Sequence, residues 1–104
     1  MTTKMYSINE IKEILKEVLI TTDVKKAILF GSYAKNKANE KSDIDLLIDS
    51  NGILKRLKFF EIIDKIQEKI DKNLDIIEKS EIEKNSKIEK EIKESGIVVY
   101  EKWR

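Results

Sequence analysis

The sequence contains no cysteine and no histidine. Without cysteine, the chain can form no disulfide, thiolate metal site or cysteine nucleophile. Without histidine, it lacks the commonest general base and the commonest zinc ligand. Any chemistry must therefore rely on carboxylates, hydroxyls, lysine, arginine or the backbone. Carboxylate oxygens favour hard metals such as Mg²⁺.

Proline is also absent, and no repeat or linker is evident among the 104 residues. We therefore expect one domain over residues 1–104. Charged residues make up 39% of the chain, but 21 Lys and Arg nearly balance 20 Asp and Glu. This balance argues against direct nucleic-acid binding and against a membrane-surface protein. No stretch has the pattern of a signal peptide or a membrane span, so we expect a cytoplasmic location.

Helical and extended patterns alternate along the chain, which predicts an α+β fold with a small mixed sheet backed by helices, in the order α-β-α-β-α-β-α-β. The first helix opens with a capping box, Ser7-Ile8-Asn9-Glu10. The predicted elements are a helix at 8–20, a strand at 27–30, a helical turn at 32–36, a strand at 43–49, a helix at 53–70 after an Asn51-Gly52 turn, a strand at 74–77, a charged helix opened by Ser80–Glu83 and ended by Gly96, and a strand at 97–100.

The stretch FGSYAKNKANEKSDIDLLID, residues 30–49, carries two aspartates separated by one isoleucine. On a strand, Asp43 and Asp45 project from one face with Cα atoms about 6.5–7 Å apart. Carboxylates at this spacing can converge on one or two divalent ions. Asp75, in the apolar stretch LDII, adds a third oxygen ligand if its strand lies beside theirs, and an all-oxygen set favours Mg²⁺ or Mn²⁺ over zinc. Taken alone, an Asp-x-Asp pair is more often a solvated strand face.

Gly31-Ser32 follows the first strand directly and is a candidate phosphate-binding turn. Glycine lets the backbone approach a ligand closely and adopt conformations that other residues resist. A serine at the start of a helical turn offers its hydroxyl and free backbone N–H groups to a phosphate. Together with the aspartates, this turn indicates a nucleoside triphosphate with its magnesium, and hence phosphoryl or nucleotidyl transfer.

Gly31-Ser32, ten intervening residues and Asp43-Ile44-Asp45 resemble the signature of the nucleotidyltransferase superfamily that includes DNA polymerase β. The resemblance is strongest to its minimal branch, small proteins that often serve as antitoxins to HEPN-domain RNase toxins, and it extends over nearly the whole chain. It implies that Gly31 and Ser32 bind the triphosphate of ATP, and that Asp43, Asp45 and Asp75 form the catalytic, metal-binding set for two Mg²⁺ ions. Asp75 would also help to activate the attacking hydroxyl.

The chain departs from this family where Arg-Gly is common and Lys35-Asn36 stands here. Asparagine tolerates the left-handed conformation that glycine would adopt, so the turn can be preserved. Lysine keeps the positive charge but loses the bidentate fork of arginine. Lys35 is therefore a candidate phosphate contact of reduced strength.

Other polar stretches have simpler interpretations. The charged segment EKNSKIEKEIKES is interpreted as a solvated helix stabilised by ion pairs. Asp49 is interpreted as a solvent residue that ends its strand, and Tyr33 and Tyr100 as packing residues.

Two classes of function remain open from the sequence. The first is a Mg²⁺-dependent enzyme that moves AMP from ATP to a hydroxyl; the family likeness implies a tyrosine of a cognate HEPN toxin as acceptor. The second is a non-catalytic antitoxin that neutralises its partner by occlusion, or a module that binds nucleotide as a regulatory ligand. The retained acids favour the enzyme, because unpaired charges in a disused site tend to be lost.

Overall fold

The computed structural model describes residues 5–50 and 56–102. These form three α-helices and one four-stranded sheet. The elements are α1 (Ile8–Leu19), β1 (Lys26–Phe30), β2 (Ile44–Asp49), α2 (Arg56–Lys69), β3 (Leu74–Glu78), a 3₁₀ turn (Lys79–Glu81), α3 (Lys87–Ser95) and β4 (Ile97–Glu101). The predicted Asn51-Gly52 turn and the first residues of the predicted helix at 53–70 lie outside the described residues.

The sheet is mixed, with strand order β3-β2-β1-β4. β1 pairs antiparallel with β2 and β4, whereas β2 and β3 are parallel. The predicted fold class, a small mixed sheet backed by helices, is confirmed. None of the helices in the described parts of the chain combines the length and apolar character needed to cross a bilayer.

Helix α1 begins where the sequence predicts it. Ser7 Oγ accepts a hydrogen bond from the Glu10 backbone N–H (3.0 Å), and the Glu10 carboxylate accepts one from the Ser7 N–H (2.8 Å). These reciprocal bonds satisfy N–H groups that a helix start leaves without intrahelical partners. The buried side of the helix carries Ile11, Leu15, Val18 and Leu19.

The core lies between the sheet and the helices α1 and α2. From β2 it takes Ile44, Leu46 and Ile48, all fully buried. Because side chains alternate along a strand, Asp45, Leu47 and Asp49 project from the opposite face. Helix α3 contacts β1 and covers part of that second face. The polar residues of β2 therefore lie on the side of the sheet that α1 and α2 do not cover.

Gly96 allows α3 to pack closely on that face. It follows the last helical residue, Ser95, as predicted, but its backbone is extended (φ −66°) rather than left-handed. A Cβ here would lie 2.5 Å from the Ile92 carbonyl oxygen and 2.9 Å from Ile28 Cγ2. The position thus requires a glycine for space and not for backbone conformation.

The predicted start of the charged helix at Ser80 is wrong. Residues 79–81 form a single 3₁₀ turn, and α3 begins six residues later with Ser86 as its N-cap. Asn85 takes a left-handed conformation (φ 63°), and Ser86 Oγ accepts from the Glu89 N–H at 3.2 Å. This part of the chain contains two Ser-x-x-Glu patterns, Ser80–Glu83 and Ser86–Glu89, and only the second caps α3.

The helical turn predicted at 32–36 is also not a helix; the structure has consecutive turns there. The Lys35 N–H donates to the Gly31 carbonyl (3.1 Å), and the Lys37 N–H donates to the Ser32 carbonyl (2.9 Å). Asn36 has φ 58°, which confirms the left-handed conformation expected at this position. Asparagine therefore takes up the turn geometry that glycine would otherwise provide.

Glu78 fastens the end of β3 to the end of β2 and is only 8% exposed. Its carboxylate accepts from Ser50 Oγ (2.7 Å), from the Ser50 N–H (3.2 Å) and from the Ser80 N–H. Burial acts to raise the pKa of Glu78, but the hydrogen bonds from Ser80 and Ser50 outweigh it and lower the pKa below its ordinary 4.5.

We expect Glu78→Gln to lower the free energy of unfolding at pH 7 by about 2–4 kcal/mol, because an amide cannot accept all of these bonds. A lowered folded-state pKa means that the carboxylate stabilises the fold above pH 4.5 and that this contribution is lost as the pH falls through the folded value. Urea unfolding between pH 3 and 8 should therefore show a smaller wild-type advantage at low pH. Glu81→Gln, on an exposed neighbour, is the control and should change stability little. An equal loss in both variants would contradict the role given to the Glu78 carboxylate.

Candidate active site

The structure brings the three predicted carboxylates to one face of the sheet. β2 and β3 run parallel in a register that places Asp45 directly opposite Asp75. Register partners on neighbouring strands project to the same face, which here is the face opposite the core. Asp43 immediately precedes β2 and shares the parity of Asp45. Asp43 and Asp75 are exposed, whereas Asp45 is half-buried.

These carboxylates influence one another electrostatically. The pKa of Asp45 is raised from its ordinary 3.8 to about 6, first by burial and then by repulsion from Asp75, Asp43 and Glu91. Both burial and nearby like charge disfavour the ionised form of a carboxylate. The site is therefore a region of concentrated negative charge that a cation would stabilise.

The Gly31-Ser32 turn lies directly against Asp45. Phe30, the last residue of β1, is the register partner of Asp45, and Gly31 follows it with φ 79°. A Cβ on Gly31 would collide with Asp45 Oδ2 and lie 3.1 Å from Asp45 Cγ. Glycine is thus needed here for two reasons: it allows the left-handed backbone, and it leaves space for the Asp45 carboxylate. The candidate phosphate-binding turn and the acidic cluster form one continuous site.

Lys35 lies at the end of this turn and is ion-paired. Its Nζ is 3.0 Å from a carboxylate oxygen of Glu91 on α3. Glu91 is not among the site residues that the sequence predicts, because the charged segment that contains it has the pattern of a solvated helix. That pattern accounts for the (i, i+4) ion pair of Lys93, which is exposed, with Glu89, which is half-buried. The available signal was the stripe formed by Ile88 and Ile92 with Gly96, which marks the side of the helix that docks.

Comparison with known proteins identifies the family. Residues 9–104 match the family model for polymerase beta, nucleotidyltransferase. The chain belongs to this nucleotidyltransferase family. A Methanocaldococcus jannaschii relative, provisionally named a protein adenylyltransferase, is 41% identical over 99 residues, which cover 91% of this chain and all of the relative. The predicted enzyme class, nucleotidyltransferase, is thereby confirmed.

Two solved structures share the fold of this nucleotidyltransferase. One is a toxin–antitoxin with AMP-PNP, with a TM-score of 0.69 and 19% identity, covering 93% of this chain and 75% of that one. The other is a complex of the tri-AMPylated HEPN toxin of Shewanella oneidensis with MNT antitoxin, with a TM-score of 0.60 and 19% identity, covering 91% and 70%. At this identity the likeness establishes the fold alone.

The donor chemistry of the nucleotidyltransferase site suits a hard divalent cation. Its side chains offer carboxylate oxygens, and the raised pKa of Asp45 reflects first its burial and then the repulsion among the acids. Within residues 5–50 and 56–102, no three Asp, Glu, His or Cys side chains are already arranged as a metal-binding group. Asp43, Asp45 and Asp75 are the side chains that would hold such a cation.

Three other residues considered from the sequence have structural roles. Asp49 ends β2 and forms an ion pair with Lys79 (3.6 Å). Tyr33 is buried and its hydroxyl approaches the Met5 sulfur (3.9 Å), so it packs as expected. Tyr100 is also buried, and its hydroxyl donates to the Leu19 carbonyl at 3.3 Å. These contacts tie the sheet to α1 and to the residues that precede it.

Proposed function

We propose that this nucleotidyltransferase transfers AMP from ATP to a hydroxyl of a partner protein, a tyrosine of a HEPN RNase toxin, and thereby acts as the antitoxin. The observation that carries the proposal is the register pairing of Asp45 with Asp75 beside the Gly31-Ser32 turn. Positioning and charge neutralisation account for most catalysis in transfers of this kind. A phosphate-binding turn in contact with a carboxylate cluster provides for both.

In this proposal each residue has a distinct role. Gly31 and Ser32 bind the triphosphate through the backbone and the serine hydroxyl, with Lys35 as a further phosphate contact. Asp43, Asp45 and Asp75 would hold two Mg²⁺ ions, which when bound supply charge neutralisation of the triphosphate. The acceptor oxygen forms a bond to the α-phosphorus of ATP, the bond from that phosphorus to the bridging oxygen breaks, and pyrophosphate leaves. Asp75 accepts the hydroxyl proton.

The exposure of Asp75 supports a macromolecular acceptor. β3 is an edge strand of the sheet, and Asp75 is exposed on the face that α1 and α2 leave open. A hydroxyl presented by another protein can therefore reach this carboxylate without entering a closed pocket. The names of the relatives support the same acceptor class, since one is called a protein adenylyltransferase and one neighbouring structure contains an AMPylated HEPN toxin.

The test is to incubate the chain with ATP, Mg²⁺ and a HEPN-type protein encoded beside its gene, and to measure AMP on the partner by mass spectrometry. We expect AMP on a tyrosine in the wild-type reaction and none with Asp43→Asn or Asp75→Asn. A chelator should also abolish the adduct. If both variants neutralise the toxin as well as wild type does, without any AMP adduct, occlusion and not transfer is the function.

A further inference from the structure

The ion pair between Lys35 and Glu91 joins the phosphate-binding turn to α3. The Lys35 backbone is held by its N–H bond to the Gly31 carbonyl (3.1 Å), while its Nζ reaches Glu91 at 3.0 Å. The Lys35 side chain is 41% exposed and that of Glu91 is 29% exposed. The Lys35 backbone is therefore fixed, its side chain is flexible, and its ion-pair partner is accessible to solvent.

Glu91 is held in this place by the docking of α3. The close contacts of Gly96 with Ile28 and Ile92 set how near α3 lies to β1. Glu91 directly precedes Ile92, and its carboxylate is close enough to Asp45 to act on that residue electrostatically. The acid thus lies near both Lys35 and Asp45, although it belongs to a different part of the chain from the motif.

We infer that Glu91 competes with the triphosphate for Lys35 and so sets the affinity of the site for nucleotide. The inference rests on the proposed function, because it takes ATP as the ligand of the Gly31-Ser32 turn. Glu91 is a positioning residue in this scheme, since it acts on the nucleotide through Lys35.

Charge decides the direction of the effect. A triphosphate bound at the turn would be a second and more highly charged partner for Lys35. Charge-assisted hydrogen bonds to phosphate are strong. An ion pair as exposed as Lys35–Glu91 contributes little on its own and can be exchanged. Removing the charge of Glu91 should therefore strengthen nucleotide binding.

The test is calorimetric titration with Mg²⁺ and AMP-PNP. We expect Glu91→Gln to lower the Kd by about three- to tenfold, because it frees Lys35 to bind the phosphates. Glu94→Gln is the matched control, because it removes the same charge from an exposed position of the same helix. It should leave the Kd within about twofold of wild type. In kinetics, Glu91→Gln should lower the KM for ATP and leave kcat nearly unchanged, a split that a purely structural defect would not produce.

A double-mutant cycle separates exchange at Lys35 from a general charge effect. In a Lys35→Met background, the gain from Glu91→Gln should shrink to less than about twofold. A gain of the same size in both backgrounds would overturn the competition for Lys35. If Glu91→Gln binds AMP-PNP no more tightly than wild type does, the inference is overturned. Binding of AMP-PNP by wild type would still leave the proposed function intact. If wild type binds no nucleotide, the proposed function fails and the inference fails with it.

Discussion

Replacing Asp45 by asparagine should reduce AMP transfer by about a hundred- to a thousandfold, and it should also make the chain more stable in the presence of a chelator. The loss of transfer follows from removing a charge that, in the proposed function, acts on the metal-bound triphosphate. The gain in stability follows from the raised pKa of Asp45, which burial and then the neighbouring acids cause. Asparagine removes the repulsion and keeps the shape of the side chain.

The pH dependence of this gain has a definite sign. The folded-state pKa of Asp45, about 6, lies above its ordinary 3.8, so at a pH well below 3.8 the group is protonated in both states and has no effect. As the pH rises from 4 to 6, ionisation favours the unfolded chain, and wild type loses stability that Asp45→Asn keeps. Because Asp45 is partly solvated, we expect a difference of about 1–2 kcal/mol at pH 7 rather than the full value of the shift.

Chemical denaturation with a chelator and with Mg²⁺ checks this prediction. Asp49→Asn is the control, because it removes the same charge from the same strand. It also breaks the ion pair with Lys79, so this variant should gain no stability. Its rate of AMP transfer should stay within about threefold of wild type. Added Mg²⁺ should stabilise wild type and not Asp45→Asn. A variant that is less stable than wild type at pH 7 with chelator would show that the acids do not repel one another in the fold.

Replacing Gly31 by alanine should damage catalysis more than stability. The left-handed backbone (φ 79°) disfavours alanine by about 1–2 kcal/mol. The new Cβ would collide with Asp45 Oδ2, the end of a side chain that can rotate away. The fold can therefore accommodate the methyl group, but only by moving the carboxylate that the proposed reaction needs. We expect transfer to fall by about a hundredfold or more, as for a misplacement of about 1 Å in a catalytic geometry.

Asn36→Ala separates the two effects of the glycine substitution. Asn36 is also left-handed (φ 58°), so alanine there carries a similar backbone cost without contacting Asp45. Urea unfolding should show a comparable loss of stability in the two variants, about 1–2 kcal/mol. Transfer should remain near wild type only in Asn36→Ala. Equal transfer in both variants would mean that the contact between Gly31 and Asp45 has no catalytic importance.

Local sequence signals predict most of the candidate site. The Asp43 and Asp45 pair follows from the two-residue period of a strand, and the special backbone at Gly31 and Asn36 follows from residue type alone. Glu91 could not be found in this way. Its surroundings in the sequence are charged on every side, and only the docking of α3 on β1 turns it towards Lys35 and Asp45.

The start of α3 shows the same limit. Ser80–Glu83 and Ser86–Glu89 carry the same capping pattern, and no local signal ranks one above the other. The first pattern does not cap a helix, because the Glu78 carboxylate binds the Ser80 N–H and Ser50 where two strands end. The start of α3 therefore depends on a contact between Ser50 and Glu78, which are 28 positions apart.

The sequence by itself determined which side chains share a strand face, where the backbone turns left-handed and which chemistry the donors allow, because each of these depends on neighbours a few residues away. Only the tertiary structure decided that Asp75 lies opposite Asp45 and that Glu91 reaches Lys35. Strand register and helix docking are set by the simultaneous burial of apolar faces from distant segments. No short stretch of the chain contains that information.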